Sequence, residues 1–185
     1  ALAAVFHTRR KTMPDTETHP LPPFAPANAR LLMLGSFPPP RGRWKMNFYY
    51  PNIQNDMWRI FGLVFFDDRD RFVSADSKGY READIRTFLA AKGIAISDTA
   101  QRVRRLQGNA ADKALQILEP LDLAALLARL PYCHAILTTG ELATRTLLTL
   151  LPADSVAPAI GAPGHADCCG RALRLYRLPS SSRAY

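Results

Sequence analysis

The chain has 185 residues, of which 48% are hydrophobic, and it carries a formal net charge of +8 with a pI near 9.8. This length predicts one domain around one core, and no apolar run approaches the roughly 18 residues that cross a bilayer. We therefore expect a soluble, cytoplasmic monomer with no membrane partner.

The net positive charge favours an anionic partner, because each Lys or Arg that neutralises a phosphate releases a condensed counterion. Nucleic acid is the leading candidate for that partner. A basic enzyme without any nucleic-acid partner would have the same charge, so the charge does not identify the chemistry.

The cysteines are Cys133, Cys168 and Cys169, an odd number that includes an adjacent pair. This spacing predicts free thiols, because it matches neither a disulfide framework nor a Cys-x-x-Cys metal motif. The cysteines are also too few to ligate a typical iron–sulfur cluster. We expect no metal and no cofactor.

Residues 1–29 are rich in proline and have few spaced apolar residues, which predicts an extended, partly mobile arm. One domain over residues 30–185 should follow this arm. The chain stops at Tyr185, directly after a Ser-rich loop, which raises the expectation of a further helix beyond it.

Strand and helix patterns alternate along the rest of the chain. Residues 30–34 form a largely apolar run closed by Gly35, which predicts a strand buried on both faces. Helical spacing predicts helices over residues 55–66, 82–92, 121–130 and 141–151. Further strands are predicted over residues 94–97, 135–138 and 172–178, with an Arg-rich loop at 102–105. Thr138 and Glu141 have the spacing of a capping box for the last helix, with Gly140 as the alternative cap.

Strands that alternate with helices imply right-handed crossovers and a mainly parallel sheet. We therefore predict an α/β fold with three α/β/α layers around a central four-stranded, mainly parallel sheet. Ligands of such folds bind in the crevice outside the carboxyl ends of the strands. The loops that follow the four predicted strands lie at residues 35–38, 98–99, 139–140 and 179–182.

Three motifs lie at the two ends of this predicted core. Residues 35–38 read Gly-Ser-Phe-Pro, residues 48–58 read Phe-Tyr-Tyr-Pro-Asn-Ile-Gln-Asn-Asp-Met-Trp, and residues 178–182 read Leu-Pro-Ser-Ser-Ser. Together they resemble motifs of the uracil-DNA glycosylase superfamily. The resemblance is closest to its branch of hypoxanthine-DNA (deoxyinosine) and mismatch-specific uracil glycosylases, and it covers roughly residues 30 to 185.

The resemblance implies a uracil-DNA glycosylase-like fold and a monofunctional enzyme of base-excision repair. Such an enzyme hydrolyses the N-glycosidic bond of a deaminated base, hypoxanthine or uracil, in DNA and leaves an abasic site. Many members have an Asn or Asp two residues after the first glycine that positions water, but this chain has Phe37 there. The resemblance gives the water-orienting role to Asn55, which we expect to hold the water through its amide oxygen; the alternative is that Asn55 caps the helix it begins.

The same resemblance assigns contacts to the base and to DNA. Tyr50 aligns with an aromatic residue that stacks on the flipped base, with core packing as the alternative. The backbone N–H groups of Ser36 and Phe37 are candidates to bond a base oxygen, with a plain rigid turn as the alternative. The candidates for phosphate contacts are Ser180, Ser181 and Ser182.

Other residues have weaker assignments. Arg183 and Ala184 stand where relatives insert a wedge into the duplex, although hypoxanthine-type relatives have Pro in place of Arg183, and a polar terminus is the alternative. Asp98 is a candidate to bind water or stabilise a cationic sugar, with a loop cap beside Thr99 as the alternative. None of the four histidines lies in the last-strand loop, where many relatives have one.

Two other functions stay open. One is a non-catalytic module that binds DNA or damaged DNA on the same fold. Phe37 supports this alternative, because it stands where many relatives have the residue that positions water. A small-molecule α/β enzyme should carry a phosphate-binding Gly-rich motif or a Gly-x-Ser-x-Gly elbow after a strand, and the sequence has neither. The four candidate loops also contain no lysine for a Schiff base, which favours simple hydrolysis over a lyase.

Overall fold

The computed structural model describes residues 16–106 and 114–183. Within these ranges the strands are β1 (Thr16–Thr18), β2 (Leu31–Gly35), β3 (Ile94–Asp98), β4 (Ala100–Arg105), β5 (Leu115–Pro120), β6 (Ala135–Thr139), β7 (Gly164–Cys168) and β8 (Arg171–Leu178). The helices are α1 (Met57–Phe66), α2 (Glu82–Lys92), α3 (Leu123–Ala128) and α4 (Glu141–Thr149). None of these helices is long and apolar enough to cross a membrane.

The centre of the fold is a five-stranded sheet in the order β3-β2-β6-β8-β7. Its first four strands are parallel, and β7 runs antiparallel to β8 at one edge. Successive side chains of β2 point to opposite faces, as in any pleated strand. Leu32 and Leu34 join a core with α3 and α4, whereas Met33 joins a second core with α1 and α2. Apolar helices therefore cover both faces of the sheet.

The α/β class and the three layers are as predicted, but the central sheet has five strands instead of four. The additional strand is β7, in which exposed His165 and buried Ala166 alternate over a stretch too short and too polar to stand out in the sequence. The predicted Arg-rich loop is also wrong, because residues 102–105 belong to β4. This strand lies between β1 and β5 in a small antiparallel sheet and buries Val103.

The helix α4 begins without the predicted capping box. Gly140, at φ +88°, is the N-cap residue, as the alternative predicted, and no side-chain hydrogen bond caps the helix. Thr138 is a buried residue of β6, and its hydroxyl lies 2.7 Å from that of Thr144. The capping box is therefore wrong because the strand commits the threonine side chain to the interior.

Residues 16–29 pack against the domain. β1 pairs with β4, Leu21 is buried in the core beside α1 and α2, and Phe24 exchanges two backbone hydrogen bonds of 2.9 Å with Ile96 of β3. The described part of the predicted arm is thus extended but held by the domain, because its apolar side chains enter the core. The remainder of that arm, residues 1–15, lies outside the described residues.

This packing predicts that Leu21→Ala lowers stability as a core substitution does. Removing a buried leucine side chain costs about 2–5 kcal/mol, which should lower Tm by several degrees in a chain of this length. The matched control is Leu63→Ala, at a leucine of α1 that is 49% exposed and should change stability little. Thermal unfolding measures both, and equal melting temperatures for the two variants would contradict the packing of this segment.

Candidate active site

The carboxyl ends of β2, β3, β6 and β8 surround one cavity of about 600 Å³. This volume is in the range of small-molecule sites and can hold a nucleobase. Of the ten residues proposed from the sequence, eight line it: Ser36, Phe37, Tyr50, Asn55, Asp98, Ser180, Ser181 and Ser182. Arg183 is not among the lining residues. Loops far apart in the chain therefore meet at the crevice predicted for this fold.

Gly35, the last residue of β2, leaves space that a buried carboxylate fills. The register of β2 and β3 pairs Gly35 with Asp98, which is 5% exposed. A Cβ atom on Gly35 would lie 2.4 Å from Asp98 Oδ1 and 3.3 Å from the Tyr50 hydroxyl. A side chain at residue 35 is thus incompatible with the observed position of the carboxylate.

The loop after β2 is held by neighbouring backbone and by one buried arginine. The N–H of Thr99 donates to the carbonyl of Gly35 at 2.8 Å, and the N–H of Ala100 donates to that of Ser36 at 3.2 Å. Arg105 donates to the carbonyl of Pro38 at 3.0 Å and is itself paired with Glu17 of β1 at 2.7 Å. These contacts fix the loop before any ligand binds.

Asn55 has a structural role in addition to its place in the cavity. Its amide oxygen accepts the backbone N–H of Met57 at 3.0 Å, at the start of α1, and the hydroxyl of Ser181 at 2.7 Å. A carbonyl oxygen has two lone pairs, so these bonds use both of them. The Met57 N–H also requires an acceptor, which sets the orientation of the amide. A water held by Asn55 would therefore bond to Nδ2 and not, as expected from the sequence, to the amide oxygen.

The loop that carries the three serines is hydrogen-bonded to the loop that carries Asn55. The N–H of Asp56 donates to the carbonyl of Ser181 at 2.9 Å, and the N–H of Arg183 donates to that of Gln54 at 3.1 Å. The Arg183 guanidinium also pairs with the Asp56 carboxylate, with Nε 2.7 Å from Oδ2, and this hydrogen bond holds the pKa of Asp56 below its usual range. Arg183 thus helps to hold the two loops together through its pair with Asp56, and its role as a wedge stays a prediction. Ala184 lies outside the described residues.

Tyr50 differs from the two aromatic residues before it. Phe48 and Tyr49 are buried in the core. Core packing therefore accounts for two of the three rings of this motif. Tyr50 adopts a positive φ of +52°, which is uncommon for a bulky residue. Its hydroxyl lies 2.8 Å from that of Thr139, and burial raises the pKa of Tyr50, which keeps the phenol protonated. Whether its ring stacks on a base stays a prediction.

His19 is one residue of this region to which the sequence assigned no role. Its Nε2 lies 2.9 Å from Asp98 Oδ2, and its side chain is 1% exposed. The imidazole stacks on Tyr49 with ring centroids 5.8 Å apart and meets the edge of Phe37 at 5.3 Å. The sequence carries no signal for this contact, because 79 residues separate its partners and His19 lies in a proline-rich segment.

Fold and site together define a three-layer α/β protein with a base-sized crevice at the carboxyl edge of its parallel strands. No family model and no curated protein matches the sequence. Among solved structures, the chain is similar to the solution NMR structure of a candidate uracil DNA glycosylase from Methanosarcina acetivorans. The TM-score is 0.57 and the identity 22%, over 88% of this chain and 83% of that chain. The uracil-DNA glycosylase-like fold predicted from the sequence is thereby confirmed.

The contact between residue 35 and Asp98 predicts that Gly35→Ala is destabilising. The new methyl group must displace a buried carboxylate, and forced repacking of this kind costs about 1–3 kcal/mol. The control is Gly42→Ala, where an added Cβ meets nothing within 4 Å. Chemical denaturation gives the free energy of unfolding of each variant. A Gly35→Ala variant as stable as Gly42→Ala would show that the carboxylate does not occupy this position.

Proposed function

We propose that the protein is a monofunctional DNA glycosylase that hydrolyses the N-glycosidic bond of a deaminated base, hypoxanthine or uracil, and leaves an abasic site. One observation carries the proposal: the Gly35–Pro38 loop, the loop with Tyr50 and Asn55, and the Ser180–Ser182 loop line a single cavity. Each of these loops is a motif that resembles the uracil-DNA glycosylase superfamily. The fold shared with the Methanosarcina acetivorans protein supports the same function.

The cavity suits a base that has been turned out of the duplex. Enzymes that act on a base in DNA extrude it and hold it against aromatic or apolar faces. Tyr50 offers a ring for such a contact, and Phe37 and Leu142 add apolar surface to the lining. The backbone N–H groups at Ser36 and Phe37 are the proposed donors to a base oxygen, in a loop that is already rigid.

The cleavage step requires a held water more than a strong nucleophile. If the glycosidic bond is largely broken before water attacks, the sugar resembles an oxocarbenium ion, as in glycoside hydrolysis. Asn55 is the proposed holder of this water, through the Nδ2 group that its structural bonds leave available. Fixed donors near the departing base then stabilise the negative charge that develops on it.

The DNA backbone is the proposed partner of the cavity rim. Arg43 and Arg145 line the same cavity as the serine loop. Arg145 is largely exposed and lies 3.9 Å from Glu141, too far for a strong pair, so its guanidinium can reach a phosphate. Serine hydroxyls and arginines are typical phosphate contacts, which fix the register of the duplex without reading its sequence.

A lesion panel tests the function directly. Duplexes that each contain one uracil, hypoxanthine or xanthine, together with an undamaged duplex, are incubated with the protein and treated with alkali. We expect alkali-sensitive abasic sites in at least one damaged duplex and none in the undamaged one. Binding without cleavage of any duplex would favour the non-catalytic DNA-binding module, the second candidate that Phe37 keeps open.

Asn55→Ala tests the proposed water holder. Loss of a positioned hydrogen-bonding group lowers catalysis by about 100-fold or more, so we expect that loss in the single-turnover excision rate with DNA affinity retained. Asn55→Ser keeps an acceptor for the helix N-terminus and should be equally slow. Asn28→Ala, at an exposed asparagine that bonds the Ala90 carbonyl, is the control. Excision by Asn55→Ser at the wild-type rate would show that Asn55 serves only as a hydrogen-bond acceptor for the start of α1.

A further inference from the structure

Asp98 is a buried carboxylate in the wall of the cavity. The other carboxylate among the described lining residues, Glu141, is 75% exposed and lies beside Arg145. The Asp98 side chain is 7% exposed, and a buried carboxylate is costly unless it is hydrogen-bonded. Its partner is His19, a residue of the segment that precedes the central sheet.

The two carboxylate oxygens of Asp98 have different surroundings. Oδ2 accepts the hydrogen bond from His19 Nε2 at 2.9 Å. Oδ1 lies against the backbone of Gly35, in space that any side chain at residue 35 would fill. Gly35 and Asp98 both line the cavity, and Oδ1 is the oxygen that His19 does not bond, so we assign Oδ1 to a ligand or a water there.

The proposed reaction needs such a group. The attacking water must lose a proton, and neither of the other two candidates can accept it. The side chain of Phe37 has no polar atom, and Asn55 is not a base; its amide oxygen already accepts two protein hydrogen bonds. A carboxylate within reach of the water is an ordinary general base.

We propose that Asp98 is the catalytic base of the glycosylase and that His19 is its positioning residue, an inference that rests on the proposed function. As the C1′–N bond breaks, its electron pair leaves with the base. The water oxygen then bonds to C1′, and one water proton passes to Asp98 Oδ1. The departed base gains a proton from solvent, and Asp98 returns its own to solvent, which restores the carboxylate.

The histidine fixes the carboxylate through a proton on Nε2. A carboxylate only accepts hydrogen bonds, so Nε2 carries the hydrogen of this contact. Nδ1 lies 2.9 Å from the carbonyl oxygen of Leu21 and 3.2 Å from its N–H. A ring protonated at both nitrogens donates to that carbonyl, and a ring protonated at Nε2 alone accepts that N–H. Both forms present the same Nε2 donor to Asp98.

Four variants test the pair: Asp98→Asn, His19→Ala, His19→Gln and the double variant of Asp98→Asn with His19→Ala. The readouts are single-turnover excision from the duplex that the wild type cuts, affinity for the same duplex with an abasic site, and Tm. Loss of a general base should lower excision by Asp98→Asn about 100-fold or more, with affinity retained. The control is His165→Ala, at an exposed histidine of β7.

The His19 variants separate positioning from packing. We expect His19→Ala to slow excision about 10-fold or more and His19→Gln to restore part of the rate, because a glutamine N–H can still donate to Asp98. In the Asp98→Asn background, His19→Ala should cause no further loss, since the two residues act as a unit.

Each contrary result has a distinct meaning. A folded Asp98→Asn variant that excises at the wild-type rate overturns the catalytic base and leaves the proposed function standing. An additive double variant overturns the positioning role of His19, as does a His19→Gln variant no faster than His19→Ala. If Asp98→Asn does not fold, the His19 variants still decide the positioning role. A wild-type protein that cuts no lesion refutes the proposed function itself.

Discussion

The close approach of Asp98 to the backbone of Gly35 is the constraint on which the site depends. Parallel pairing of β2 with β3 places these residues side by side at the carboxyl edge of the sheet. Only a glycine leaves room for the carboxylate, and the buried carboxylate in turn needs a hydrogen-bond donor. His19 supplies it, and this requirement ties the segment before β2 to the centre of the fold. The pairing of β1 with β4 and the burial of Leu21 hold that segment in place.

A second constraint joins the two ends of the core. Asn55 and Ser181 are 126 residues apart, yet their side chains share a hydrogen bond, and backbone bonds and the Asp56–Arg183 pair lie on either side of it. The ion pair is partly exposed, so its own contribution to stability is small. The pair instead helps to position the candidate phosphate-binding loop beside the loop that holds Asn55. The cavity therefore depends on contacts between residues that are far apart in the sequence.

The sequence predicted the parts of this structure that local pattern controls. Apolar runs such as Leu31–Gly35 located the parallel strands, and the order of the strands placed the candidate loops at one edge. β7 was missed because its five residues are too few and too polar to stand out, and β4 because the arginines on either side of the buried Val103 indicated a loop. Asn55 lines the cavity, and its amide oxygen also accepts the N–H of Met57 at the start of α1, so its contact with the helix is compatible with the proposed water-orienting role. His19 was beyond prediction, since nothing near it in the chain indicates a partner 79 residues away.

Phe37 and the His19–Asp98 pair are physically connected. The phenyl ring meets the edge of the imidazole at 5.3 Å and lies 5.7 Å from the guanidinium carbon of Arg105. It thus covers one side of the imidazole with apolar surface and reduces access of water to it. Hydrogen bonds to a charged group strengthen as the local dielectric falls, so a shielded pair holds its carboxylate more firmly than a wet one. The phenylalanine that removes a water-positioning group from the first motif is therefore also the residue that shelters the pair proposed to replace it.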